Sequence, residues 1–445
     1  MQAYRDGVTT DELAPDVEAP EEEIPALPLL SEPRDGVPEV VDTSAALEST
    51  LAALAAGHGP FAIDAERAGG YRYSQRAYLL QFRREGSGIH LIDPIAFSNL
   101  DSLAAVLAGE EWIIHAASQD LPCMRELGLV PTLVFDTELA GRLLGYPKVS
   151  LSALLEKFCG VSLAKEHSAA DWSTRPLPEP WLRYAALDVE LLLELRDALE
   201  SELVSAGKLN WAHQEFAAAA AAEPPPPREE PWRRTSGLHK VRKPRSLAVV
   251  RSLWEARDRV AQQRDSAPGR VLADSAIVTA AMAMPTSEDA LIDLAGWGGR
   301  GARRNLPTWW GAIARATALP ESELPAHARS TTGPPPPRAW PDRDPPAAAR
   351  LAGAREALAS IGERVTIPIE NLVTPDAVRR LCWQPPADIS ETGIRSFLTD
   401  SGARVWQCDL VAAPLAAALQ YAAEHPLSSE TSATDDVPEP TSDLT

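Results

Sequence analysis

The chain has 445 residues, 45% hydrophobic and 24% charged, which excludes a fibre or a wholly disordered chain and leaves room for two to four domains with a sizeable core. A formal net charge of −21 argues against a protein that grips nucleic acid by its overall electrostatics, since phosphate binding needs clustered Lys and Arg. The N-terminus lacks the basic and apolar regions of a secretory signal, no apolar run reaches spanning length, and the four cysteines show no C-x-x-C pairing. A soluble, unexported protein of the reducing cytoplasm is therefore expected, with neither a zinc site nor a disulfide framework.

In chain order, residues 1–39 read as a disordered acidic tail, with much of the acid between Asp11 and Glu23. Strand-like runs follow at Phe61 to Asp64, Ala77 to Phe82 and Ile89 to Ile92, close enough together to predict a meander. Next come a helix (Leu100 to Leu107), a strand (Trp112 to His115), a helix (Leu121 to Leu127), a strand (Leu133 to Phe135) and mostly helix to Leu199. This order predicts an α/β unit with a mixed sheet over residues 40–215. Proline runs at Ala217 to Pro231 and Thr331 to Pro346 read as spacers, giving linkers at 216–243 and 327–345. The segments between and after them, 244–326 and 346–424, carry helical periodicity at Ser246 to Arg264 and Ala347 to Gly362 and no convincing strand. Two small all-α bundles are expected, followed by a second acidic tail at 425–445.

Three elements carry the chemistry. FAIDAER puts Asp64 and Glu66 at i and i+2 on a strand, so both carboxylates leave one face and can share a cation; taken alone, such a pair is also a common surface feature. In WIIHAASQDLPCMRELG a strand ends at His115 and a helix begins near Ser118, bringing Asp120 into its first turn, where interaction with the helix dipole is the alternative role. His115 reads as a structural hydrogen-bonding group. In WLRYAALDVELLLELRDAL, a long amphipathic helix, Tyr184 and Asp188 stand at i and i+4 and face the same way, and Asp188 lies in an apolar run where an unpaired charge is costly. Four carboxylates and a tyrosine match two-metal phosphodiester hydrolysis by hard, oxygen-preferring ions such as Mg²⁺ or Mn²⁺, with Tyr184 orienting the attacking water.

These elements, IDAE at Ile63 to Glu66, HAASQD at His115 to Asp120 and YAALD at Tyr184 to Asp188, resemble the DEDD exonuclease superfamily in its tyrosine branch. The resemblance implies a ribonuclease H-like fold, 3′-to-5′ exonuclease activity and two divalent ions held by Asp64, Glu66, Asp120 and Asp188. The stretch from Gly141 to Leu192, with Lys165 and DWSTRPL at Asp171 to Leu177, is similar to ribonuclease D. Lys165 and Arg175 are then candidates to approach substrate phosphates; the alternative is that Arg175 and Trp172 fix the loop leading into the last helix. The helical units resemble the HRDC domain, the second more loosely than the first, and in the family such bundles assist nucleic-acid binding. Arg233, Arg234, Lys240, Arg242, Lys243 and Arg245, and Arg300, Arg303 and Arg304 in the turn GWGGRGARR, are the residues available for phosphate; a solvated charge run is the other explanation of the first group.

The leading expectation is trimming of RNA 3′ ends, such as transfer RNA precursors, to nucleoside 5′-monophosphates. A 3′-to-5′ exodeoxyribonuclease is the second, since the motifs do not read the 2′-hydroxyl, and a non-catalytic RNA-binding scaffold is the third.

Overall fold

A computed structural model describes residues 27–164, 169–224, 226–326 and 333–425. The expectations for Lys165, for the acidic stretch Asp11 to Glu23 and for the C-terminal tail beyond residue 425 fall outside the described residues.

Apolar alternation produces the central sheet. Val40–Val41 (β2), His58–Arg67 (β3), Ala77–Glu85 (β4), Gly88–Ile92 (β5), Glu111–Ile114 (β6) and Leu133–Asp136 (β7) assemble in the order β2-β5-β4-β3-β6-β7, while Leu29–Leu30 (β1) pairs separately with Ser162–Leu163 (β8). The pairs β3/β4 and β4/β5 are antiparallel, the expected meander; β2/β5, β3/β6 and β6/β7 are parallel. The sheet is therefore mixed.

Successive residues of β3 serve opposite faces. Phe61, Ile63 and Ala65 enter a core shared with Ser44–Ala56 (α1), Asp101–Leu107 (α2) and Leu121–Glu126 (α3). Ala62 enters a different core, with Val189, Leu192 and Leu195. Asp64 and Glu66 share the Ala62 face, the one roofed by Glu179–Glu190 (α6) and Leu192–Ser205 (α7). Thr137–Leu143 (α4), Leu151–Phe158 (α5) and Leu209–Ala221 (α8) complete the unit.

Four boundaries differ from expectation. Residues 27–39 are not a structureless tail: Leu29–Leu30 extends β8, and Arg34 bridges Glu190 at 3.2 Å and Glu194 at 2.9 Å. The long final helix is two helices broken at Leu191. Leu191, Leu192 and Leu193 are all buried, and three consecutive residues sweep too wide an arc to share one face of a straight helix; the Glu190 carbonyl instead accepts a hydrogen bond from Arg83. Both proline-rich linkers also carry core residues: Trp232 and Val241 enter the core of the first bundle, and Trp340 that of the second. Fully burying a large apolar side chain contributes about 1.5–3 kcal/mol, enough to draw these turns into the bundles.

The first bundle, built around Pro244–Arg264 (α9), seats on the β3–β4 loop. Asp265 accepts from the Ser74 amide at 2.9 Å and the Tyr73 amide at 3.2 Å, and Arg270 donates to the Gly70 carbonyl at 2.9 Å while lying over the Tyr71 ring. The second bundle, with long helices at Pro345–Val365 and Val405–Glu424, shares a continuous core with α7 and α8, and Trp211 of α8 stacks on Trp406 with ring centroids 5.0 Å apart. Among the described residues no helix is long and apolar enough to cross a membrane.

Candidate active site

β3 presents Asp64 and Glu66 side by side, and α6 lowers Asp188 onto them, so that one carboxylate oxygen from each lies within 4.8 Å of the others. They form one wall of a cleft of about 450 Å³ whose lining also includes His115, Asp120 and Tyr184. Tyr184 hydrogen-bonds Asp188, as their spacing requires. Asp120 does not sit inside the helix as expected. It is the residue before α3, makes no side-chain cap, and points its carboxylate toward Arg67 at 3.5 Å.

This cluster is poorly compensated. Two ionised carboxylates this close repel by about 3 kcal/mol at an effective dielectric constant of about 20, and among the described residues Arg67 is the one basic group raised against them. Burial, then the charges of Asp64, Asp188 and Asp120, push Glu66 well above the usual carboxylate range. Burial and Asp64 do the same to Asp188, and they raise Asp120 to about 8. Burial also raises Asp64, against the Ala65 amide and Arg67, and burial and the neighbouring carboxylates raise the Tyr184 phenol. Carboxylates that repel one another when ionised, supplying only oxygen donors, fit hard divalent ions.

His115 has the structural role expected of it: its Nδ1 lies 2.8 Å from the Thr137 hydroxyl, and burial lowers its pKa to about 4. Sequence reasoning missed Asp136. Its buried carboxylate accepts from the amides of Ala116 at 3.1 Å, Ala117 at 2.9 Å, Glu138 at 2.9 Å and Leu139 at 3.2 Å. That grip holds Ala116 at a φ of 59°, a left-handed conformation costing a residue with a side chain about 1–2 kcal/mol, and so directs the turn that delivers Asp120. The available signal was an Asp directly after an apolar strand and before a helix.

Residues 38–204 match the 3′-5′ exonuclease family. Ribonuclease D of Escherichia coli strain K12 is 30% identical over 292 residues, covering 64% of this chain and 77% of that one. The chain belongs to the ribonuclease D family. A solved structure of Escherichia coli RNase D, described as an exoribonuclease involved in structured RNA processing, covers 87% of this chain and 99% of that chain at 25% identity and a TM-score of 0.62. A protein from Bifidobacterium adolescentis aligns over 89% of this chain and all of its own at 38% identity, with a TM-score of 0.82. Residues 246–313 match the HRDC domain, and residues 333–419 match the 3′ to 5′ exonuclease C-terminal domain, a description of its own for the second bundle.

Within this ribonuclease D family member, Arg175 has the bonds of the second of its two expected roles, that of fixing the loop leading into the last helix. It chelates Asp93, Nε at 2.6 Å and Nη2 at 2.8 Å, and donates its remaining hydrogens to the carbonyls of Trp172, Thr174 and Tyr78 at 2.7–2.8 Å. All five N–H donors of the guanidinium are spent inside the protein, and Trp172 beside it is fully buried. Of the basic residues before the first bundle, Arg233 pairs with Glu230 and lies over Trp232, and Arg245 donates to the Leu319 carbonyl, whereas Arg234, Lys240, Arg242 and Lys243 are exposed. Arg300, Arg303 and Arg304 stand exposed on one short helix.

Proposed function

We propose that this chain hydrolyses RNA from its 3′ end, releasing nucleoside 5′-monophosphates, with structured precursors such as those of transfer RNA as substrates. The observation that carries the proposal is the convergence of Asp64, Glu66 and Asp188 within 4.8 Å in a cleft that Asp120 and Tyr184 also line. Asp64, Glu66, Asp120 and Asp188 would hold two divalent ions, Mg²⁺ or Mn²⁺, which when bound supply Lewis-acid activation of the attacking water and neutralise charge on the departing 3′ oxygen. Tyr184, whose phenol stays protonated across the physiological range, orients the attacking water through its hydroxyl. The exposed Arg300, Arg303 and Arg304 neutralise phosphates farther along the strand. A cytoplasmic location accords with the four unpaired cysteines.

RNA is preferred to DNA because the relatives that match over most of their length are ribonucleases D. The test compares RNA and DNA strands of identical sequence with a free 3′-hydroxyl, with and without Mg²⁺ or Mn²⁺. Metal-dependent release of 5′-monophosphates from RNA is expected. Faster loss of the DNA strand would reassign the substrate, and full activity after Asp64→Asn with Asp188→Ala would sink the proposed centre.

A further inference from the structure

Gln81 in β4 has no exposed surface. Neither its amide nitrogen nor its amide oxygen has a hydrogen-bond partner among the described residues. A primary amide carries two donors and an acceptor oxygen, and burying all of them unmet is costly enough that such groups are rare and call for a specific explanation.

The sheet register shows where a partner stands. Gln81 lies directly opposite Asp64 in the antiparallel pairing of β3 and β4, and directly opposed residues project from the same face with their Cβ atoms about 4.5–5.5 Å apart. On its other flank it faces Leu91 of β5. Along β4 its same-face neighbours are Leu79 and Arg83, and Arg83 is committed to Glu194 and the Glu190 carbonyl. Leu79 and Leu91 pack with Ala185 and Ala186 of α6, so this ground is otherwise apolar. Of these four neighbours, Asp64 alone has acceptor capacity to spare.

We propose that Gln81 is a positioning residue for the metal centre: it makes no hydrogen bond to Asp64 in this structure, and on cation binding its amide N–H turns to donate to the Asp64 carboxylate, fixing the orientation in which Asp64 presents an oxygen to the cation. The proposal rests on the assignment of Asp64 as a metal ligand made above. Hydrogen bonds of this kind, made to a ligand rather than to the metal, typically account for 10- to 100-fold in metal affinity.

The test is titration calorimetry of the full chain with MnCl₂, paired with the thermal midpoint of the metal-free protein. Gln81→Met nearly conserves volume and removes the polar atoms; Gln81→Leu does the same with a different shape. Both are expected to leave the metal-free midpoint unchanged or raised, because an unmet amide is gone, and to weaken Mn²⁺ binding about 10- to 100-fold. In an Asp64→Asn background, whose own affinity is reduced, Gln81→Met should cost little more, since the two residues act through one contact. Wild-type uptake of Mn²⁺ with unchanged affinity in the variants overturns this proposal alone. A lowered metal-free midpoint or loss of the fold in both variants also overturns it, because the amide would then have a partner in the metal-free protein. Wild-type protein that takes up no Mn²⁺ removes the metal centre, and this role with it.

Discussion

Two charge clusters in the nuclease unit, one around Arg175 and one around Asp64, are built in opposite ways. Around Arg175, every guanidinium hydrogen is met by Asp93 or a backbone carbonyl. Around Asp64, three carboxylates crowd together with Asp120 close by and, among the described residues, a single guanidinium at the edge. The first arrangement is complete and has nothing left to offer a ligand. The second gains from a cation that offsets the repulsion among its carboxylates. A buried charge thus signals architecture when the protein satisfies it and a binding site when the protein withholds the partner.

The sharpest way to break this comparison is to remove charge from each cluster in turn. Asp64→Asn should lower kcat by more than about 100-fold by disrupting the metal site, yet raise the metal-free thermal midpoint by relieving repulsion. A drop in that midpoint would show the cluster to be compensated after all. Arg175→Met should act the other way round, destabilising the fold by about 3–5 kcal/mol through the stranded Asp93. Denaturant titration measures this loss, and the KM for RNA of the folded fraction should stay near wild type; a selective rise in KM would restore Arg175 as a phosphate contact. Tyr184→Phe should reduce kcat by about 100-fold with little change in KM, read from steady-state kinetics.

The smallest expected effect is on pH. A carboxyl whose pKa is raised by folding binds its proton more tightly in the folded chain than in the unfolded one. The stability it contributes is present below its ordinary value near 4 and is lost as pH rises through its folded value, about 8 for Asp120. The metal-free protein should therefore melt a few degrees lower at pH 8 than at pH 5.5, and Mn²⁺ should reverse the order. Scanning calorimetry with and without chelator reads both.

What was legible in the sequence was what depends on local spacing. Asp64 with Glu66 and Tyr184 with Asp188 are paired by strand and helix periodicity, and the meander and mixed sheet follow from short apolar runs. What escaped depends on partners far apart in the chain. Asp93 and Arg175 are separated by 82 residues, and nothing near either announces the other; Asp136 serves a turn 20 residues upstream. Trp232 and Trp340 sit in proline-rich stretches whose composition speaks for a spacer, while burial of one large ring outweighs it. The break at Leu191 was hidden because an unbroken helical pattern runs through it, and only packing on two sides exposes the three leucines.

The shared core beneath α8 makes the C-terminal bundle something other than an accessory. Because Trp211 and Phe216 are covered by the second bundle and by β7 in one contiguous mass, a chain ending at residue 326 would leave an oily scar on the nuclease itself. Trimming the protein to its nuclease and HRDC portions is therefore a route to aggregation, and inherited damage in residues 340–424 would surface as a shortage of enzyme rather than as a fault in its chemistry.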